Sequence, residues 1–174
     1  MNSISQAAVG QLFEAHGARA YQAALGILRN EQEAKDATQE SFVLAIRAID
    51  RYDRDRPFYP WLYRILRNHC IDRIRRRRET SVDPAPFVLP DTALSPEGTV
   101  SDYQTQRAVQ SAIKELSPEH REILFLRHFQ ELRYPEIAEA LNMAEGTVMS
   151  RLYRARRALR KAMVAQGWRN PESR

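Results

Sequence analysis

Four of the chain's nine prolines, Pro84, Pro86, Pro90 and Pro96, fall within residues 79–101, a stretch with no helical period. Proline cannot donate to a helix ladder, and it biases the residue before it toward extended backbone. The stretch therefore predicts an extended linker, and what folds must fold on either side of it. Val82, Phe87, Val88 and Leu89 make it more apolar than a plain spacer and suit docking on a partner.

Both flanks read as helix. On the N-terminal side, Val9, Leu12, Phe13 and His16, then Ala20, Ala24, Ile27 and Leu28, recur at helical spacing. Asn30 and Glu31 interrupt the pattern. A second helix carries Ala34, Ala37, Thr38, Ser41, Phe42, Ala45, Ile46 and Ile49 as one stripe of small and apolar groups. Asp50–Arg56 is a charged loop. Pro57 fits the first turn of a third helix, where a missing N–H costs nothing. That helix continues through Trp61, Leu62, Ile65, Leu66, Cys70 and Ile74 into the arginines at 75–78.

On the C-terminal side, Val109, Ala112, Ile113 and Leu116 share a helix face. Ser117-Pro118 is a helix start, with Ser as the cap and Pro at the first helical position. Pro135 opens a short helix to about Leu141, residues 142–146 form a tight turn, and a last helix runs from about Thr147 to Val164. The expectation is an all-α chain of two small helical domains, 8–78 and 104–165, joined by an extended linker at 79–103.

Residues 134–163 have the pattern of a helix-turn-helix. Ile137, Ala138 and Leu141 face inward, Asn142 tolerates the left-handed turn conformation, and Val148, Leu152 and Leu159 bury the second helix. That helix holds Arg151, Arg154, Arg156, Arg157, Arg160 and Lys161, with no acidic residue between Thr147 and Val164. Thr147 and Ser150 near its start can add hydroxyl and backbone N–H contacts to phosphate. The charge balance agrees: the net charge is +5, and 24 of the 27 basic residues are arginine. Arginine's planar fork suits phosphate and guanine edges, although a GC-rich coding sequence also favours it over lysine.

The N-terminal domain offers two further surfaces. Asp36 and Glu40 lie four residues apart, with Gln39, on the face opposite the apolar stripe. Such a face suits a protein partner carrying Arg and Lys, and it also reads as ordinary surface charge. The third helix crowds Phe58, Tyr59, Trp61 and Tyr63 beside Arg54, Arg56, Arg64 and Arg67. Aromatics stack on unpaired bases while arginines track the backbone of a single strand; the competing reading places Phe58 or Trp61 in the core. Arg73 and Arg75–Arg78 contact phosphate or form a solvated helix end.

Several functions are disfavoured. A single cysteine, Cys70, allows neither an internal disulfide nor a cysteine-rich zinc site, and its place on an apolar stripe reads as packing rather than redox chemistry. His120 and His128 do not have the spacing of a helical zinc pair. No phosphate loop or nucleophile elbow occurs, so neither enzymatic activity nor a cofactor is expected. No run reaches the ~18 apolar residues of a membrane span, and no signal peptide is recognised; no direct membrane insertion and a cytoplasmic location are expected.

At this point three segments resemble one family. DATQESFVLAIRAIDRYD is similar to D-x-x-Q-[ED]-x-F, the sigma-factor region that binds the β′ clamp helices of RNA polymerase. RPFYPWLYRILRNHCIDRIRRRR is similar to the region with a W-L-[YF]-R-I-x-x-N core that recognises and melts the −10 element. AIKELSPEHREILFLRHFQELRYPEIAEALNMAEGTVMSRLYRARRAL resembles sigma region 4, the reader of the −35 element. The chain is identified as a member of the extracytoplasmic-function (group 4) sigma factors of the sigma-70 family. The resemblance implies that core RNA polymerase, through its β′ clamp helices and β flap, and promoter DNA are partners. An anti-sigma factor is the further partner it implies.

It also implies roles. Asp36, Gln39, Glu40 and Phe42 match the polymerase-binding motif, with Phe42 as its core anchor. Tyr52 and Asn68 match positions that help hold a flipped −10 base, which needs replacement hydrogen bonds and a stacking surface. Arg54, Trp61, Arg64, Arg75 and Arg76 complete the −10 set. Thr147, Ser150, Arg151, Tyr153, Arg154, Arg156 and Arg157 form the −35 set. The chain departs from the pattern at Met149, where Lys or Arg is usual, at Asn142, where Gly is common, and at Pro135. A free-standing helix-turn-helix regulator is the alternative. It would bind duplex DNA unaided and would have no use for residues 31–78.

Overall fold

The computed structural model describes residues 6–78 and 108–168. The expected linker at 79–103, with its apolar residues Val82, Phe87, Val88 and Leu89, lies outside the described residues, as do residues 104–107. Among the described residues there are helices and turns and no strand, as the two helical periods predict.

The first lobe is three helices: α1 (Gln6–Leu28), α2 (Glu31–Arg47) and α3 (Phe58–Arg78), with a 3₁₀ turn at Ile49–Arg51. Alanine lets α1 and α2 approach closely: Ala20, Ala23, Ala24, Ala34 and Ala37 are all fully buried. Two residues reverse the chain between them. Arg29 takes the left-handed conformation (φ 58°), and Asn30 caps α2 by accepting a hydrogen bond from the Glu33 N–H at 2.9 Å. Thr38 and Ser41 are buried on α2, but their hydroxyls donate to the carbonyls of Ala34 and Ala37 at 2.7 and 2.6 Å, so no polar atom there is stranded.

Helix α3 starts one residue later than its proline pattern predicts. Pro57 stands just before it, and Pro60 occupies the first turn, where an amide N–H would have no intrahelical acceptor. Leu62, Tyr63, Leu66 and Cys70 form its buried face.

The second lobe holds a helix over 108–114 (α4), α5 (Pro118–His128), α6 (Tyr134–Leu141) and α7 (Glu145–Ala165). Ser117 caps α5 through the His120 N–H at 3.3 Å, as the Ser-Pro pair predicts. At the start of α6 the Glu136 carboxylate accepts from the Arg133 N–H at 2.6 Å and from its guanidinium at 3.2 Å. Asn142 ends α6 with φ 51° and ψ 55°. The reversal is then complete, so α7 begins at Glu145 rather than Thr147, and Gly146 belongs to the helix instead of the turn.

The two lobes share one apolar core, continuous from Ala20 in α1 to Ala155 in α7. Helix α3 packs directly on α6, and α6 on α7. Polar contacts cross the same boundary. Arg19 donates to Gln130 at its side-chain oxygen (3.1 Å) and its carbonyl (2.6 Å), and Arg56 faces Glu139 at 3.7 Å. Glu122 of α5 accepts from Tyr63 and Arg67 of α3.

Candidate nucleic-acid and polymerase interfaces

Helix α2 positions the first set of residues. Its small and apolar stripe faces the bundle, with Phe42 buried and its ring 4.9 Å from that of Phe13. Gln39 and Glu40 lie exposed on the other side, and Asp36 is half-buried beside them. Asp36 accepts from the Gln32 amide at 3.1 Å.

The acidic face is less isolated than its spacing suggests. Glu40 pairs with His69 at 2.8 Å and with Arg73 at 3.4 Å, and Glu33 pairs with Arg77 at 3.3 Å. Ascending positions on α2 meet descending positions on α3, so the helices run antiparallel and the arginines of α3 lie along the carboxylates of α2. A feature outside the sequence motif shares this face. Val43, seven residues from Asp36, is 47% exposed. Phe13, also exposed, lines with Gln39 a shallow, mostly apolar cleft of about 290 Å³ between α1 and α2. The signal for this part was present: Val43 is a β-branched apolar residue off the buried stripe.

The second set lies along α3. Trp61, Arg64, Asn68 and Arg75 fall at helical repeats of one face, and Arg76 borders it. Arg64, Asn68, Arg75 and Arg76 are exposed. The loop before α3 brings Tyr52 over the start of this face. Its ring is 5.0 Å from Trp61 and edge-on to Phe58 at 5.4 Å, and its hydroxyl donates to the Arg56 carbonyl. Burial first, then the nearby Glu139 and Asp53 carboxylates, raise the Tyr52 pKa, so this hydroxyl stays a donor at neutral pH. Arg54 is exposed on the same loop. Of the four crowded aromatics, Phe58, Tyr59 and Tyr63 are buried and Trp61 alone is half-open. The core reading therefore holds for Phe58, and the available stacking surface is Trp61 with Tyr52.

The third set lies on α7. Val148, Leu152 and Ala155 hold the helix against α5 and α6. Thr147, Ser150, Tyr153, Arg154 and Arg157 are exposed on the outer side. Ser150 donates to the Thr147 carbonyl at 3.1 Å, Arg154 donates to the Ser150 carbonyl at 3.3 Å, and the Arg157 guanidinium lies 5.8 Å from the Tyr153 ring centre. Two of the seven expected residues stand apart. Arg151 is half-buried and faces Glu119 at 3.6 Å. Arg156 points along the flank, where it lines an apolar groove with Ile113, Leu124, His128, Leu159 and Met163. The volume of that groove is about 480 Å³. Met149 is exposed on the same helix.

No group of three or more His, Cys, Asp or Glu that could hold a metal occurs among the described residues. Cys70 is fully buried, and burial, partly offset by the Arg73 charge, pushes its thiol pKa up to about 12.

Residues 12–80 match the family described as Sigma-70 region 2, and residues 106–159 match Sigma-70, region 4. The chain is 34% identical to the ECF RNA polymerase sigma factor SigW of Bacillus subtilis, with 91% of this chain and 90% of SigW covered. It is 38% identical to the RNA polymerase sigma-H factor of Pseudomonas aeruginosa, with 78% and 76% covered. The chain belongs to the ECF sigma factors of the sigma-70 family.

The solved structure of CnrH in complex with the cytosolic domain of CnrY matches this sigma factor with a TM-score of 0.65 and 30% identity, over 92% of this chain and 90% of that one. The two region matches fall on the two lobes in the order of the sequence motifs. An ECF sigma factor directs core RNA polymerase to promoters, and both partners follow from that membership. No helix among the described residues is long and apolar enough to cross a membrane.

Proposed function

We propose that this sigma factor divides its work among the three surfaces just described, with domains at 8–78 and 104–165 and a linker at 79–103. Asp36, Gln39 and Glu40 receive the β′ clamp helices, with Phe42 holding α2 in place from beneath and Val43 extending the surface. Tyr52 and Trp61 stack a flipped −10 base, Asn68 and Arg64 contact it and its neighbours, and Arg54, Arg75 and Arg76 follow the phosphates. Thr147, Ser150, Tyr153, Arg154 and Arg157 read or flank the −35 element in the major groove. Arg151 joins them on exchanging Glu119 for phosphate. Arg156 sits at the rim of the apolar groove, which suits the β flap better than it suits a base edge. Catalysis stays with the polymerase, the protein works in the cytoplasm, and group 4 is its place within the family.

The observation that carries this reading is the separation of polarity. The outer side of α7 presents hydroxyls, a tyrosine, arginines and Met149, with no carboxylate beyond its first turn, while the matching face of α2 presents two carboxylates, an amide and an apolar residue. CnrH, a structural neighbour, was solved in complex with the cytosolic domain of CnrY. This supports a protein partner seated on the present chain as well, and the family resemblance makes that partner an anti-sigma factor that holds it inactive.

Run-off transcription with purified core enzyme tests the proposal. Promoter-dependent transcripts are expected from a promoter library only when the protein is added, and their absence sinks it. Arg154→Ala should weaken −35 binding and leave core affinity intact. Equal loss of both would refute the division of labour.

A further inference from the structure

Glu122 is 6% exposed at the boundary between the lobes. It accepts three hydrogen bonds, all from α3: Tyr63 Oη at 2.9 Å, Arg67 Nε at 2.6 Å and Arg67 Nη2 at 3.1 Å. The Arg67 fork is bidentate, the strongest geometry available to a carboxylate. Tyr63 is fully buried, so its hydroxyl has no water to turn to. A buried charge with all its partners on the other lobe ties the two lobes to one arrangement, because a small displacement strands it.

The neighbouring residue works against this tie. Arg121 is equally buried, and its Nε has no hydrogen-bond partner among the described residues. Burial first, and then the Arg29 charge, lower its pKa. Separation of the lobes would hydrate Arg121 and remove that repulsion. One turn of α5 thus carries a satisfied anion that favours closure and a buried cation with one unpartnered N–H that favours opening.

Opening matters for the proposed function. The closed arrangement puts α6 in contact with both α3 and α7. At ~10 Å per helix diameter, α7 then lies within roughly 20–25 Å of α3. Elements centred about 25 base pairs apart are on the order of 80 Å apart on straight duplex at ~3.4 Å per pair. The closed molecule therefore cannot place α3 on the −10 element and α7 on the −35 element together.

We propose that Glu122, gripped by Tyr63 and Arg67, is a latch that holds the free sigma factor closed and must release for both promoter surfaces to engage. The need for release rests on the proposed promoter roles, whereas the latch itself does not. Only the fraction of molecules already open would be competent, so closure lowers the apparent affinity for core enzyme and promoter.

Small-angle X-ray scattering of the full chain in monodisperse solution tests the latch. A closed chain of this length has a radius of gyration of about 16 Å, and two separated lobes raise it to about 20 Å or more. Wild type should be compact and Glu122→Lys expanded, with the same far-UV circular dichroism. An expanded wild type, or a Glu122→Lys chain as compact as wild type, overturns the latch. Where Glu122→Lys loses helix content, the near-isosteric double variant Tyr63→Phe/Arg67→Met decides: it strips the carboxylate of its partners and should expand the chain, and unchanged dimensions reject the proposal. Scattering makes no use of transcription. A latch that opens on schedule in a protein inert with core enzyme would overturn the proposed function and leave the latch standing.

Discussion

Asn142 holds the left-handed conformation that lets α6 and α7 meet at the helix-turn-helix corner. The strain falls on its Cβ, and glycine has none. Asn142→Gly should therefore leave stability within a few tenths of a kcal/mol, whereas Asn142→Val, branched at Cβ, should cost about 1–2 kcal/mol in urea unfolding. Equal stability of the two variants would remove the backbone argument. Cys70 makes the opposite point, a reactive group silenced by its place. Thiolate is the nucleophile, and a buried thiol with its pKa pushed up to about 12 yields almost none at neutral pH. Thiol reagent should label the protein in urea and not in buffer. Native-state labelling at the rate of a free thiol would contradict the burial.

The helices were legible because their periods and caps are local. Ser117-Pro118 and Asn142 mark their boundaries where the sequence places them. The errors fell where two residues could play one part. Pro57 and Pro60 both suit the opening of α3, and the reversal at Asn142 needs no help from Gly146. The candidate surfaces were legible to the same degree. One face of α2 and one of α7 follow from spacing alone. Glu40 looked like a free acid because its partners, His69 and Arg73, lie on another helix. The difference can be measured. Glu40 is 55% exposed where it meets His69 and Arg73, and exposed pairs contribute little, about 0–1 kcal/mol. Glu40→Ala should thus change unfolding free energy by less than about 1 kcal/mol while weakening core-polymerase binding in a pull-down or fluorescence titration. A large stability loss with unchanged core binding would make Glu40 a structural strut.

At the scale of the whole molecule, the sequence predicts two domains and a linker but not that the lobes close on each other. Nothing local marks Glu122 as different from Glu119, the other acid of its helix. Its partners stand 55 and 59 residues earlier, across the linker, and only the tertiary fold brings them within reach. The folding of each lobe also has a cost that acid should expose. His16 lies half-buried against the rings of Phe58 and Tyr59, and its Nδ1 has no partner among the described residues. Burial, and then the Arg19 charge, lower its pKa. His128 lines the apolar groove, and burial, Arg156 and Arg127 lower its pKa as well. In the unfolded chain both imidazoles take up a proton near pH 6.5, while the folded chain resists until lower pH. The unfolded state then binds more protons, and stability must fall as pH drops. The contribution is complete above about pH 6.5 and is lost on the way down, in a window above the carboxylate range of about 3.9–4.3. The thermal midpoint should therefore decline between pH 7 and pH 5.5, and less steeply in His16→Leu, which has no proton to gain there. A midpoint flat across that window, or a decline of equal slope in His16→Leu, would show that His16 is free to charge in the folded protein and that its aromatic enclosure is looser than the structure shows.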